Sequence, residues 1–168
     1  MNVLHLTHTD INSDSRILKE LESLSKNKKV RITALGVHMN EENKKYKKIE
    51  HVKIYSINLN SRKLIFLPAF IKHSLSVIEL TLKMIFNSFK AKPSIIHCHD
   101  TLVLPLGVLV KLFTGSKLIY DAHELETEKA NFKEYRKNIS KIIERIFIKF
   151  THGVIVVGDA IADHYKKM

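Results

Sequence analysis

The sequence predicts an α/β domain: a doubly wound, mostly parallel six-stranded sheet with helices on both faces. Three observations carry this. Short runs rich in Val and Ile alternate with longer segments whose apolar residues recur every three or four positions, the pattern of successive strand–helix units. The 168 residues suit one domain of ordinary size. No internal repeat or low-complexity linker divides the chain, so a single domain over 1–168 is expected.

Val3–Thr7 is a short apolar run and reads as the first strand. A polar loop from His8 to Ser15 follows, and then Ile17, Leu18, Leu21 and Leu24 form the stripe of an amphipathic helix with Ser13 or Asp14 as N-cap. Val30–Val37 alternates with Arg31 and Thr33 and gives the second strand; Val52–Ile57 gives the third. Leu64–Lys90 carries the longest helical pattern. Ile71, Leu75, Ile78, Leu82, Ile85, Phe86 and Phe89 keep steps of three and four, while Phe70, Val77, Leu80 and Met84 add apolar surface beside them. A spanning helix needs about 20 apolar residues with few charges, and Lys72, His73, Glu79 and Lys83 interrupt this one. The expectation is a helix buried on two sides, with a lipid interface as the other reading.

Lys92-Pro93 ends that helix, and Ser94–His99 is the fourth strand. Thr101–Phe113 reads as a buried helix closed by Gly115, and Lys117–Asp121 as the fifth strand. A polar stretch from Ala122 to Asn131 leads into a helix with Ile139, Ile142, Ile143, Ile146, Phe147 and Phe150 on one face. Gly153 stops it, Val154–Val157 is the sixth strand, and Gly158-Asp159 opens a last short helix. Right-handed crossovers and the common doubly wound order place the first and fourth strands side by side.

Composition excludes several classes. Apolar residues make up 45% and charged ones 27%, ordinary for a soluble globular domain and unlike a disordered tail, a collagen or a coiled coil. The one cysteine, Cys98, excludes an intramolecular disulfide framework and a multi-cysteine zinc site. Lys+Arg is 28 against 17 Asp+Glu, a net charge of +11, and the excess is spread along the chain. Its densest run, Lys44-Lys45-Tyr46-Lys47-Lys48, reads first as a solvated loop and second as a contact for anionic lipid. No zinc-finger spacing, RNP-like aromatic strand or helix-turn-helix pattern accompanies it, so no nucleic-acid partner is expected. The start shows no basic leader before a long apolar run, so the expected location is cytoplasmic, with the inner face of the membrane as a peripheral site.

In an open α/β sheet, ligands bind beyond the carboxyl ends of the strands at the switch point. That rule selects Asp10, Asn12, Ser13 and Arg16 after the first strand, His99 and Asp100 after the fourth, and Asp121, His123 and Glu124 after the fifth. His97 and His99 share one face because side chains alternate along a strand. Imidazole and carboxylate both ligate zinc, but further ligands do not follow at a suitable spacing, so no metal is expected. His97 reads as a core histidine bonded to backbone, and His99, at the strand end, is the better site candidate. His123-Glu124 does not continue as H-E-x-x-H, and the simpler role for Glu124 and Glu126 is capping the next helix. A buried Asp121 needs a partner, which His123 or an incoming hydroxyl could supply. Cys98 reads as a buried small hydrophobe. The chain has no G-x-G-x-x-G, no P-loop lysine and no G-x-S-x-G, which argues against a dinucleotide enzyme, an ordinary NTPase and an α/β-hydrolase.

Taken in order, Val3-Leu4-His5-Leu6, Asp14-Ser15-Arg16, Ile95-Ile96-His97-Cys98-His99-Asp100, Tyr120-Asp121-Ala122-His123-Glu124 and Val156-Val157-Gly158-Asp159-Ala160-Ile161 resemble the N-terminal domain of family 4 (group 1) glycosyltransferases. The resemblance covers essentially the whole chain. It implies a Rossmann-like half of a GT-B fold in a retaining enzyme, with a nucleotide-sugar donor (a UDP- or GDP-sugar) bound by a second, C-terminal domain and a cell-envelope glycan or lipid-linked acceptor received here. It further implies that His99 approaches the donor sugar near the reacting carbon, and that Asp100, Asp121, His123 and Glu124 meet acceptor or sugar. By the same resemblance the loop carrying Asp10, Asn12, Ser13 and Arg16 closes over the donor phosphates. Many members have two glycines there, where this chain has Asn12-Ser13-Asp14-Ser15. Without the second domain, held in this chain's continuation or by a separate donor subunit, the expectation is little or no sugar transfer. Two rivals remain from other classes: a stand-alone acceptor-binding subunit, and a flavodoxin- or receiver-like signalling domain.

Overall fold

In the computed structural model, which describes residues 1–38, 49–122 and 134–166, strands β1 (Asn2–Leu6), β2 (Arg31–Val37), β3 (Val52–Ile57), β4 (Ile95–Cys98), β5 (Lys117–Ala122) and β6 (Gly153–Val156) form one sheet. Its order is β3-β2-β1-β4-β5-β6, and each neighbouring pair is parallel. The expected adjacency of the first and fourth strands is therefore found, and the sheet is parallel throughout. Among the described residues the helices between and after the strands are α1 (Ser15–Ser25), α2 (Ala69–Ala91), α3 (Leu104–Thr114), α4 (Glu134–Phe147) and α5 (Asp159–Lys166).

The two faces of the sheet are unlike. On one, α1 lays Ile17 and Leu21 over Val3, Ile32 and Ala34, with Ile11 from the preceding loop. On the other, Leu4, Leu6, Leu35, Ile96, Cys98, Leu118 and Tyr120 point into a larger core with Met84 of α2 and Leu104 and Val108 of α3. Strands buried from both sides read as nearly continuous apolar runs, which is why these strands were legible.

Local chemistry sets the element ends. Asp14 is the N-cap of α1, its Oδ1 accepting from Arg16 N and Ile17 N at 3.1 Å each. Pro105 sits in the first turn of α3, and Gly115, at φ 68°, closes it by donating to the Lys111 carbonyl. α2 begins at Ala69, later than the apolar pattern suggested, because a 3-10 turn at Asn60–Lys63 and Pro68 precede it. Glu79 holds that turn, accepting from Asn60 N at 2.9 Å and Ser61 N at 2.8 Å.

α2 departs from expectation in one respect. Its side toward the core carries Ser76, Met84 and Ser88, whereas Phe70, Leu82 and Phe86 are 81%, 62% and 61% exposed. The apolar stripe at three- and four-residue spacing thus faces outward. Small residues on the inner side let the helix lie close to the sheet, and the large ones are left outside. Among the described residues, no helix is long and apolar enough to cross a membrane.

Candidate functional site

The carboxyl ends of β1, β4 and β5 meet at one edge, and Asp100 ties two of them together. Its Oδ2 accepts from Thr7 Oγ1 at 2.7 Å and from His8 N at 3.1 Å, and lies 2.8 Å from His8 Nδ1. Burial pushes the Asp100 carboxyl up, but the His8 and Thr7 donors and the charge on His8 outweigh it and bring it down to about 2. The loop after β1 is therefore fastened by a carboxylate from the loop after β4.

The rest of that first loop folds on itself. Asp10 Oδ1 accepts from Asn12 N and Asn12 Nδ2 at 3.0 Å each, and Asn12 Nδ2 also reaches Ser56 Oγ at 3.2 Å. These bonds build the 3-10 turn Ile11–Ser13 and lean it toward β3. Gly36 makes the approach feasible: a Cβ there would lie 2.7 Å from the Thr9 carbonyl oxygen and 2.8 Å from Ile11 Cγ1. Without a side chain at Gly36 the loop rests directly on the strand beneath it. Ser13 is exposed and Arg16 half-buried in the first turn of α1.

Behind Asp100 lies a cluster of histidines. His5 pairs with His97 in register across β1 and β4, so both project from the same face, and His99 joins them two residues on. His5 Nδ1 lies 2.9 Å from His99 Nε2. The rings of His97 and His99 stack with centroids 4.2 Å apart. Asp121 Oδ2, from β5, is 3.5 Å from His99 Nδ1 and 3.8 Å from His97 Nε2. Glu20 Oε2, from α1, is 3.9 Å from Nδ1 of both His97 and His99. His5 and His99 are each 1% exposed. Burial, together with the neighbouring His97 and His99, holds the His5 imidazole well below its usual range despite the opposing pull of Asp121. One nitrogen of each of the three histidines and one oxygen of Glu20 lie within 4.8 Å of one another, a donor set able to hold a metal ion.

Of the sequence-selected residues, the fold brings His99 and Asp121 together, turns Asp100 to the loop after β1, and joins Asp10 to Asn12, which reaches Ser56 of β3. His123 and Glu124 lie outside the described residues. Asp121, for which the sequence suggests His123 or an incoming hydroxyl as partner, has His97 and His99 as neighbours. Sequence position alone does not point to His5 or Glu20, and His97, which reads as a core histidine, stacks on His99 and lies 3.8 Å from Asp121. The missing signal is strand register: parallel alignment of β1 with β4 stacks His5 on His97. Glu20, three residues after Ile17, lies toward the same side of α1. Cys98 is fully buried, as expected, and burial raises its thiol far above the usual range.

Comparison with known proteins adds three findings. The family described as Glycosyltransferase Family 4 matches residues 24–168. Sucrose-phosphate synthase from Thermosynechococcus elongatus is similar in structure, with a TM-score of 0.71 at 12% identity over 99% of this chain and 44% of that one. A second similar structure, HepE from Anabaena in complex with UDP and glucose, has a TM-score of 0.55 at 12% identity over 91% of this chain and 37% of that one. This chain therefore spans less than half the length of either. No curated protein matches it in sequence.

Proposed function

The chain belongs to Glycosyltransferase Family 4, and from that premise we propose that it is the acceptor-side half of a retaining transferase that moves a sugar from a UDP- or GDP-sugar to a cell-envelope glycan or lipid-linked acceptor. The family match over residues 24–168 carries the reading. The six-stranded Rossmann-like sheet fits one half of a GT-B enzyme, and a share of 44% of the similar synthase leaves room for a second domain. In this reading the second domain brings the nucleotide-sugar against the carboxyl edge, and the chain alone transfers little sugar.

The edge suits that task. Glycosyl transfer passes through an oxocarbenium-like state, which gains from nearby carboxylates and from exclusion of water. Asp100 holds the loops after β1 and β4 in one arrangement, so that acceptor hydroxyls meet a fixed surface. His99 is the residue assigned to the reacting end of the sugar, with Asp121 behind its Nδ1, and Asp10, Asn12, Ser13 and Arg16 line the approach. His123 and Glu124 are assigned to the acceptor. The outward stripe of α2, with Phe70, Leu82 and Phe86 exposed and exposed Lys90 beside it, is assigned to peripheral docking on an anionic membrane carrying the acceptor. Large exposed apolar patches mark such contacts.

The test is amide NMR of the labelled chain against a panel of glycans and lipid-linked sugars, with NADH and acetyl phosphate as controls. Shifts confined to the loops Thr7–Arg16 and His99–Thr101 with glycans are the expected result. A response to NADH or acetyl phosphate and none to any glycan would overturn it.

A further inference from the structure

We propose that His5, His97, His99 and Glu20 bind a divalent transition metal of the zinc class, as a structural site between α1 and the two central strands. Three features argue for it. The donors are three imidazoles and one carboxylate, a set zinc takes readily and in which four protein ligands make a closed, structural site. They come from three separate elements that the sheet register and helix packing bring within 4.8 Å of one another. Bonds of about 2.0–2.1 Å place tetrahedral ligands about 3.4 Å apart, so the widest pair has to close by up to about 1.4 Å, a shift that side-chain rotation supplies. Lastly, Asp121 Oδ2 stands 3.5 Å from His99 Nδ1, in position for the outer carboxylate that commonly orients a metal-bound histidine.

Charge points the same way. The cluster gathers two carboxylates and three imidazoles in a largely buried space. Neutral imidazoles carry one lone pair each, one of them is taken by the contact of His5 Nδ1 with His99 Nε2, and His5 Nε2 is buried without a hydrogen-bond partner among the described residues. A bound cation answers the lone pairs and the negative charge together. Protonating all three rings would set like charges side by side instead. No zinc is expected from spacing in the sequence because the ligands are assembled by the fold: positions 5, 20, 97 and 99 form no compact motif. The site shares His99 and Asp121 with the transferase reading, but zinc binding is measured without donor or acceptor, so the failure of one reading is distinguishable from the failure of the other.

The experiment uses the untagged chain, stripped with a chelator and then titrated with Zn²⁺, with bound metal counted by elemental analysis after dialysis. The expected result is about one zinc per chain and a melting temperature about 5–10 °C higher at a hundredfold excess over Kd. Glu20→Gln and His97→Asn, checked for folding by circular dichroism, should each weaken binding at least tenfold. Asp121→Asn should weaken it about 10–100-fold. With ten histidines in the chain, binding elsewhere is the alternative outcome. Zinc retained equally by wild type, Glu20→Gln and His97→Asn overturns the proposal, and so does a wild type that retains none. Should His97→Asn fail to fold, Glu20→Gln, at a half-buried position on α1, decides it.

Discussion

His5 Nδ1 and His99 Nε2 lie 2.9 Å apart although 94 positions separate them in sequence. The contact exists because β1 and β4 are neighbours at the switch point, and it puts two imidazoles where solvent barely reaches them. With its pKa depressed by burial and by His97 and His99, His5 stays neutral in the folded chain, whereas in the unfolded chain it takes a proton near pH 6.5.

The first prediction follows from that difference. A depressed pKa contributes stability that is whole above the unfolded value and is lost as pH falls through the window below it. In chelator, the urea midpoint should therefore be flat above about pH 7 and decline on acidification, by up to about 1.4 kcal/mol per pH unit for this proton. His97, His99, Glu20 and Asp121 face the same space, so the check is a comparison: His5→Gln should flatten the decline. An unchanged slope in His5→Gln would assign the effect to another group.

Asp100 works in a lower window. Its carboxyl is depressed to about 2, against about 3.9 unfolded, so its contribution is full above about pH 4 and is lost as pH drops toward 2. Asp100→Asn keeps the shape but replaces a charged acceptor for Thr7 and His8 with a neutral one. The expected cost at neutral pH is about 1.5–3 kcal/mol, measured by urea denaturation. Hydrogen exchange should also rise in the loop after β1, since Asp100 is what fastens it.

Much of this was open to sequence reasoning, and the exceptions have one cause. Alternation over Val52–Ile57 marks β3 at the bounds the structure has, and Asp14, one of the two cap candidates in the sequence, caps α1. Those features are local: alternation and capping act over a few residues. The histidine cluster is not local, since it depends on which residue of β1 faces which residue of β4. The outward stripe of α2 misled for the same reason. Periodicity says that a helix has an apolar side, but only the neighbouring sheet decides which side is covered, and there Ser76 and Ser88 were the better fit.

Packing at Gly107 offers a sharper test of the larger core. A Cβ at this position would lie 2.4 Å from Cys98 Sγ and 3.0 Å from Leu118 Cδ1. Gly107 is in the middle of α3, where Ala would otherwise be favoured by about 1 kcal/mol. Gly107→Ala is nevertheless expected to destabilise by about 1–3 kcal/mol through overpacking. The Gly107→Ala/Cys98→Ala double variant removes the sulfur that the new methyl meets, and should recover part of that loss. Simple additivity of the two single changes in denaturant melts would refute the steric account.

Tyr120 joins three elements. Its hydroxyl donates to Glu144 Oε1 at 2.7 Å and lies 2.7 Å from Thr101 Oγ1, while Tyr165 donates to the same Glu144 oxygen. Burial and the Glu144 charge raise the Tyr120 phenol above its usual range, so it remains a donor at every working pH. Tyr120→Phe leaves a buried carboxylate with one donor fewer and should cost about 1–3 kcal/mol. Glu144→Gln should cost less in the Tyr120→Phe background than alone, because the two act through one bond. A double-mutant cycle in thermal denaturation reads the coupling; none would mean that the network contributes nothing beyond packing.

The segment before α2 and the first turn of that helix yield the last prediction. Ile65, Phe66 and Phe70 are 87%, 80% and 81% exposed, next to exposed Arg62 and Lys63 in the preceding turn. Burying a Phe in an apolar medium gains about 1.5–3 kcal/mol, and each basic residue near an anionic surface adds about 1 kcal/mol. The two contributions respond differently to conditions. Vesicles rich in anionic lipid should sediment the chain, neutral vesicles much less, and added salt should weaken the attraction by screening. Phe66→Ser/Phe70→Ser should reduce binding more than tenfold while leaving the salt dependence of what remains, whereas Arg62→Gln/Lys63→Gln should flatten that dependence. Equal sedimentation with neutral and anionic vesicles, or none with either, would remove the membrane from this face and leave its apolar stripe to a protein partner.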